Sequence, residues 1–309
     1  MPNPFRRFSP TRLTRSVLIQ ALLLLSFFPA NVRGEVSIID DAGQSVTLAA
    51  PAARIVSLYA GLSECLAVLG LAGNIVGRTN SDNTVPASLP NVGTHIRPNP
   101  ELIAAMAPDL AVQFEGRETA QPAENLRRLN IPVARFRISS FEELFSCLQR
   151  LGVLCAREEA AKAGVRNLRE RLAKISVFAA QGRKPKIFFE TRYPNLLGAG
   201  GGHIVNDIIA AAGGTNCLEA YPDRLVRISE EAVVLFDPDI YLVQRGDMNK
   251  NPSPPAGRAH FAHLAAVKNG FALMVEESLY SRAGPQSVAA AEDLSRVIAA
   301  WREKYGPGE

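Results

Sequence analysis

Two carboxylates draw attention because the sequence around them repeats. Asn99-Pro100-Glu101 is followed by Ala107-Pro108-Asp109-Leu110, and Ser229-Glu230-Glu231 by Asp237-Pro238-Asp239-Ile240, so in both halves a Glu precedes a Pro-Asp pair by seven residues. Asn99 and Ser229 are helix N-cap types, Pro100 suits the first helical position, and Glu101 and Glu231 fall at the second. A carboxylate there gains about 0.3–1 kcal/mol from the helix dipole. Of four histidines, His95, His203, His260 and His263, only the last two have helical spacing, so a closed three-histidine metal site is not expected. His260 and His263 read as surface or packing residues of a short helix. The run Gly198-Ala199-Gly200-Gly201-Gly202 has His203 where a dinucleotide loop would place its third glycine, and no acidic residue follows at the expected distance. It reads as a flexible loop. No nucleophile-elbow or phosphate-loop motif occurs.

The scaffold for these groups follows from periodicity. Glu35–Ile39 and Gln44–Leu48 read as short strands around the Asp40–Gly43 turn. After Pro51, apolar runs at Ile55–Leu58, Asp109–Phe114 and Pro132–Phe136 alternate with helical patterns near Leu62–Leu69, Pro100–Met106, Ala120–Leu129 and Phe141–Leu151. That alternation predicts a parallel sheet covered by helices. From Arg157 to Gln181 a charged stretch without proline sets Val165, Leu168, Leu172, Ile175 and Val177 at helical spacing, with Arg166 and Glu170 as an i,i+4 pair. Such a helix rises about 1.5 Å per residue, roughly 35 Å in all, enough to bridge two domains. Beyond it come strand Lys186–Glu190, helices Ile204–Ala212 and Glu230–Phe236, strands Ile240–Gln244 and Phe271–Val275, and a C-terminal helix from Gln286 to near Lys304.

The chain has 309 residues, 34 Lys+Arg and 30 Asp+Glu, for a formal charge of +4. Five arginines (Arg6, Arg7, Arg12, Arg15, Arg33) lie in residues 1–34, which carry no acidic residue, and four of them precede the 12-residue apolar run Val17–Phe28. A bilayer span needs about 20 apolar residues. The segment therefore reads as a cleaved signal peptide, with cleavage after Gly34 or Ala30 both fitting. Taking those five from 34 leaves 29 basic residues against 30 acidic ones, a net charge of −1, so no nucleic-acid partner is expected. Cys65, Cys147, Cys155 and Cys217 match no zinc-site spacing, and no disulfide pairing follows from them. Cys65 and Cys147 read as buried thiols in apolar helical patterns.

Taken in order, several segments resemble the periplasmic binding proteins of ABC importers for vitamin B12, ferric siderophores and haem. They are Arg54-Ile55-Val56-Ser57-Leu58 leading into Ser63-Glu64 and Leu69-Gly70, then Ile75-Val76-Gly77, the two Glu and Pro-Asp repeats, the single long helix, and Ala212-Gly213-Gly214-Thr215-Asn216. The resemblance covers nearly the whole chain after residue 34. It implies an α/β fold of two Rossmann-like lobes joined by one long α-helix, with the ligand cleft between the lobes. Residues 35–155 would form the N-terminal lobe, 156–182 the interdomain helix and 183–309 the C-terminal lobe. It further implies a monomeric periplasmic transport component rather than an enzyme, working with an ABC permease in the inner membrane. In that family a Glu on each lobe docks to permease arginines; the matching positions are Glu101 and Glu231, with Glu230 adjacent and less well placed. A dipole role alone would not require the same position in both halves.

Ligand contacts are expected on loops at the strand ends. In the first lobe these hold Tyr59, His95, Arg97 and Phe114, with Glu115 beside it; in the second, Arg192, Tyr193, Arg245, Tyr280 and Arg282, with Gln244 nearby. Aromatic rings would stack on a flat ligand, and arginines would pair with carboxylates or phosphates. Four arginines (Arg97, Arg192, Arg245, Arg282) around one cleft favour an anionic metal chelate. A ferric siderophore is therefore ranked first, a corrinoid second and haem third, with Tyr59 or His95 as the axial ligand in the haem case. Trp301 sits in the C-terminal helix, leaving Phe114 and Tyr193 for stacking on a corrin. No catalytic residue, resident metal or cofactor is expected. The alternative of another class is a tetrapyrrole chelatase with His95 or His203 as base, which leaves the Glu repeat unexplained.

Overall fold

The computed structural model describes residues 34–179 and 182–306; the expected signal peptide lies outside the described residues except for Gly34. β1 (Val36–Ile39) and β2 (Ser45–Leu48) form an antiparallel hairpin. Asp40 ties its turn, Oδ1 accepting from the N–H groups of Ala42 at 3.0 Å and Gln44 at 2.9 Å. The first lobe then runs β3 (Ile55–Ser57), α1 (Ala60–Val68), β4 (Ile75–Arg78), α2 (Pro100–Ala105), β5 (Leu110–Phe114), α3 (Arg117–Arg128), β6 (Val133–Phe136) and α4 (Phe141–Leu154). Its strands are parallel in the order β4-β3-β5-β6, and every residue of β3, β5 and β6 is buried, as a sheet covered on both faces requires. The chain direction of strand addition reverses between β3 and β5, which opens a crevice at their C-terminal ends.

α5 (Glu158–Ala179) is the predicted long helix, 22 residues or about 33 Å. Val165, Leu168 and Ile175 are buried, but Val177 is 62% exposed. It follows Ile175 by two residues and so lies about 200° around the helix from it. Arg166 and Glu170 form no ion pair among the described residues. Instead Arg171 reaches across to Glu292, Nε to Oε1 at 2.7 Å and Nη2 to Oε2 at 2.8 Å, which ties α5 to the C-terminal helix.

The second lobe continues with β7 (Lys186–Arg192), β8 (Leu197–Ala199), α6 (Ile204–Ala212), β9 (Thr215–Asn216), β10 (Leu225–Arg227), α7 (Glu230–Phe236), β11 (Ile240–Arg245), α8 (Ala265–Lys268), β12 (Ala272–Glu276), α9 (Glu277–Tyr280) and α10 (Gln286–Tyr305). Its sheet order is β10-β8-β7-β11-β12, with β9 paired to the start of β7. β7, β11 and β12 are parallel; β8 runs antiparallel to β7, and β10 pairs antiparallel with β8. The sheet is thus mixed where alternation predicted a parallel one. Only Tyr193–Leu196 separate β7 from β8, too few residues for a crossover helix, so the strand must fold straight back. His260 and His263 lie exposed in turns before α8, not in the predicted short helix.

The repeated motif has a structural reason. Asp109 Oδ2 accepts from the N–H groups of Ala53 (2.9 Å) and Arg54 (2.8 Å), at the entry of β3. Asp239 Oδ2 accepts from Lys186 N–H (2.8 Å), at the entry of β7. Arg54 Nη2 donates to Met106 O (2.6 Å) at the C-terminus of α2, and Lys186 Nζ donates to Phe236 O (2.5 Å) at that of α7. Each lobe therefore uses one Pro-Asp pair to staple its first parallel strand and one cation to close a helix C-terminus. At the other end of these helices, Asn99 Oδ1 accepts from Leu102 N–H (2.9 Å) and Ser229 Oγ from Ala232 N–H (3.2 Å), the predicted caps. All four cysteines are free thiols, with Cys65, Cys147 and Cys155 buried.

Candidate functional site

The C-terminal ends of six parallel strands, three from each sheet, face one cleft of about 590 Å³. Tyr59 and Ala60 follow β3, Thr79 to Ser81 follow β4, Phe114 ends β5, Thr191 lies near the end of β7, Gln244 to Met248 end β11, and Glu276 to Ser278 follow β12. A larger space of about 840 Å³ lies against α5, lined by Gly164, Asn167, Leu168 and Arg171. We place the candidate site in the smaller cleft, because six strands of two sheets end there and it contains the switch point of the first sheet.

Of the sequence-predicted ligand residues, the fold brings Tyr59, His95, Phe114, Arg245 and Arg282 together around the cleft. Tyr59 packs against Phe114 (ring centroids 5.1 Å apart) and meets His95 edge-on at 6.4 Å. Burial is the main cause lowering the His95 pKa, with nearby Arg224 adding to it, so this imidazole is neutral at pH 7. Burial raises the Tyr59 phenol, whose oxygen accepts from Ala283 N–H at 2.9 Å. A protonated, already engaged phenol does not suit the axial haem role considered for Tyr59.

Four predicted residues lie elsewhere. Arg97 lines a separate space of about 350 Å³ beside Pro100 and Glu118. Arg192 is half-buried outside the cleft, with its Nε lacking a hydrogen-bond partner among the described residues. Tyr193 stacks on the Arg258 guanidinium at 3.7 Å and donates to Glu230 Oε1 at 2.9 Å. Tyr280 is buried at 1% exposure and donates to Asp293 Oδ2 at 2.8 Å. Only Arg192 belongs to a strand; Arg97 lies in the loop before α2, Tyr193 in the turn between β7 and β8 and Tyr280 at the end of α9, where tertiary partners and not strand alternation set the direction of the side chain.

This redistribution changes the electrostatics. The cleft holds Arg224, Arg245 and Arg282 against Asp247, Glu276 and Glu277. Arg245 is paired with Glu276, and Arg282 lies 3.7 Å from Glu64 Oε1 and donates to Asn83 Oδ1 at 2.8 Å. The expected cluster of free arginines is a nearly neutral wall with two of its three cations already paired. Thr79, 1% exposed, has its hydroxyl without a hydrogen-bond partner among the described residues, an acceptor or donor open to a bound molecule. Sequence reasoning missed Thr79, His203 and Arg224 as lining residues; β4 and β10, which carry two of them in, are too short to show a period. His203 is 2% exposed and acts as the N-cap of α6, Nδ1 accepting from Val205 N–H at 3.2 Å. Burial, and then Arg224, hold its pKa well below the usual value.

The lobes are joined at this cleft by the segment before α10. Glu64 Oε2 accepts from Gln286 N–H at 3.3 Å. A Cβ on Gly61 would fall 2.0 Å from Ala283 O, so only glycine allows α1 to meet this segment. Burial is the main cause raising the Glu64 carboxyl to about 7. Away from the cleft, Glu101 and Glu231 are both exposed at the second position of α2 and α7. Among the described residues no ion pair forms at either.

A family profile described as "Periplasmic binding protein" matches residues 55–271. The vitamin B12-binding protein of Photorhabdus laumondii is 25% identical over 261 residues, 82% of this chain and 90% of that protein. Among solved structures, the periplasmic vitamin B12 binding protein BtuF of Vibrio cholerae superposes with a TM-score of 0.70 at 22% identity, covering 82% of this chain and 99% of that one. An ABC-type Fe3+-hydroxamate transport protein from Saccharomonospora viridis superposes with a TM-score of 0.71 at 20% identity, covering 85% and 98%.

Proposed function

The chain belongs to the periplasmic binding protein family, whose members bind and deliver rather than catalyse, and from that premise we propose that it captures a corrinoid between its lobes and hands it to an ABC permease. The observation that carries the choice of ligand is the charge of the cleft. Arg224, Arg245 and Arg282 are offset by Asp247, Glu276 and Glu277, so a highly anionic ferric siderophore finds no cluster of free cations. A large, nearly neutral macrocycle with amide edges finds Tyr59 and Phe114 for contact and Thr79 for hydrogen bonding. The curated relative named for vitamin B12 supports the same reading. Haem is the second reading, favoured by the neutral imidazole of His95 on the cleft wall.

In this reading residues 35–155 and 183–309 are the two lobes, 156–182 is the connecting helix, and residues 1–34 direct export and are removed. Glu101 and Glu231 dock to cationic permease loops, one from each lobe, which explains why both stand exposed and without an ion pair at equivalent helix tips. The protein works as a monomer with no nucleic-acid partner. Titration calorimetry of the purified chain with cyanocobalamin, haem and a ferric trihydroxamate tests the ligand. Saturable binding of cyanocobalamin tightest of the three is expected; preference for the trihydroxamate rejects the corrinoid, and heat from none of them rejects chelate capture.

A further inference from the structure

The glycine run read from sequence as a flexible loop is a packing seat. Gly200 N–H donates to Arg224 O at 3.1 Å and Gly201 N–H to Tyr221 O at 2.7 Å. A Cβ on Gly200, Gly201 or Gly202 would fall 2.2 Å from Asp223 O, 2.4 Å from Glu219 O and 2.4 Å from Pro222 O respectively. None of the three takes a positive φ, so glycine is required here for close approach and not for backbone conformation. The seat fixes the 219–224 segment just before β10, whose Leu225 pairs with Ala199 of β8.

From that anchored position Arg224 reaches over to the other lobe. Its guanidinium carbon lies 5.0 Å from the Phe114 ring centroid. Among the described residues it is the cleft arginine with no carboxylate partner, since Arg245 and Arg282 are engaged by Glu276 and Glu64. It also stands between two spaces, the 590 Å³ cleft and a neighbouring one of about 640 Å³ bounded by Glu115, Gly116 and Arg137 on one side and by Gly202 and Pro222–Leu225 on the other. Both spaces share Phe114, Arg224 and Leu225. A ligand larger than either must move this side chain off the ring.

We propose that Arg224 is a specificity-determining latch, aimed by the Gly200–Gly202 seat, that rests on Phe114 and exchanges the ring for an oxygen-bearing edge of the ligand. A carboxylate, phosphate or amide carbonyl supplies that acceptor, and the guanidinium fork can take two oxygens at once. The inference rests on the cleft being the chelate site. An exposed cation over an aromatic face is weakly held, so the exchange favours the ligand.

The test uses the chain with cyanocobalamin, haem and a ferric trihydroxamate, comparing wild type, Arg224→Ala, Arg224→Lys, Gly201→Ala and the Arg224→Ala/Gly201→Ala double variant by calorimetry. For whichever probe wild type binds, Arg224→Ala is expected to raise Kd about tenfold to a hundredfold, the loss of one charge-assisted hydrogen bond. Arg224→Lys should recover part of that loss. Gly201→Ala should weaken binding with the arginine still present, and the double variant should be no weaker than Arg224→Ala alone, because the seat acts through Arg224. Arg224 is exposed, so its variants should melt like wild type. Wild type that binds a probe equally well after Arg224→Ala overturns the latch. Additive losses in the double variant overturn the positioning by glycine. Wild type that binds none of the probes overturns the chelate reading itself, and the latch with it.

Discussion

Glu64 of the first lobe and Arg282 of the second meet at 3.7 Å where the lobes join, their side chains 9% and 15% exposed. The pair does not keep the carboxyl in its usual range: burial outweighs the guanidinium and the Gln286 N–H and lifts the group from 4.5 to about 7. A carboxyl raised in the folded state binds its proton more tightly there than in the unfolded chain. The stability it contributes is fully present below 4.5 and is lost as pH rises through about 7. Glu64→Gln keeps the acceptor for Gln286 without the charge. It should flatten this part of the stability profile and raise stability near pH 8 by about 3 kcal/mol. Chemical denaturation of both proteins at several pH values checks this, and parallel profiles would contradict it.

A second buried acidic side chain is held by several donors at once. Glu190, 0% exposed, accepts from Arg258 Nη1 at 2.6 Å and Nη2 at 2.9 Å, and from the Tyr241 hydroxyl at 2.6 Å. Arg258→Met leaves that carboxylate buried with one neutral donor and should cost on the order of 3–5 kcal/mol. Thermal melting reads the loss; a shift of less than about 2 °C would mean that the pair is not coupled to folding.

Phe114 offers its ring to the cleft and packs on Tyr59. Phe114→Leu retains bulk but removes the aromatic face, and should weaken cyanocobalamin binding roughly three- to tenfold. Calorimetry decides it, with an unchanged Kd placing the macrocycle elsewhere.

Replacing both exposed tip carboxylates, Glu101→Ala with Glu231→Ala, should lower ligand uptake in cells at least tenfold while leaving the Kd for ligand within about twofold. Uptake at wild-type level would remove the docking role and leave these residues as helix-dipole partners.

Much of the scaffold could be read from the chain because it depends on local physics. Alternating apolar runs and caps located α2, α7, β5 and β11 to within a residue or two, and the Glu and Pro-Asp repeat marked the equivalence of the lobes before any sheet was known. The site was legible only in outline. Tyr59 and Phe114 were found because they lie at the ends of clear apolar strand runs, and His95 because it shortly precedes the Asn99 cap of α2. Tyr193 and Tyr280 were misplaced because nothing local distinguishes a side chain turned to the cleft from one turned to Arg258 or Asp293.

The sequence by itself determined the class of fold, the two matched halves and the long helix between them, since helix and strand periods and capping chemistry act over a few residues. Only the tertiary structure decided the character of the cleft. It paired Arg245 with Glu276 and Arg282 with Glu64, turned a glycine run into the seat of Arg224, and laid that guanidinium, which has no carboxylate partner among the described residues, over Phe114 of the other lobe. Net charge and composition sum over the chain, whereas recognition depends on which charges the fold leaves unpaired at one place, and that is fixed by contacts between residues far apart in sequence.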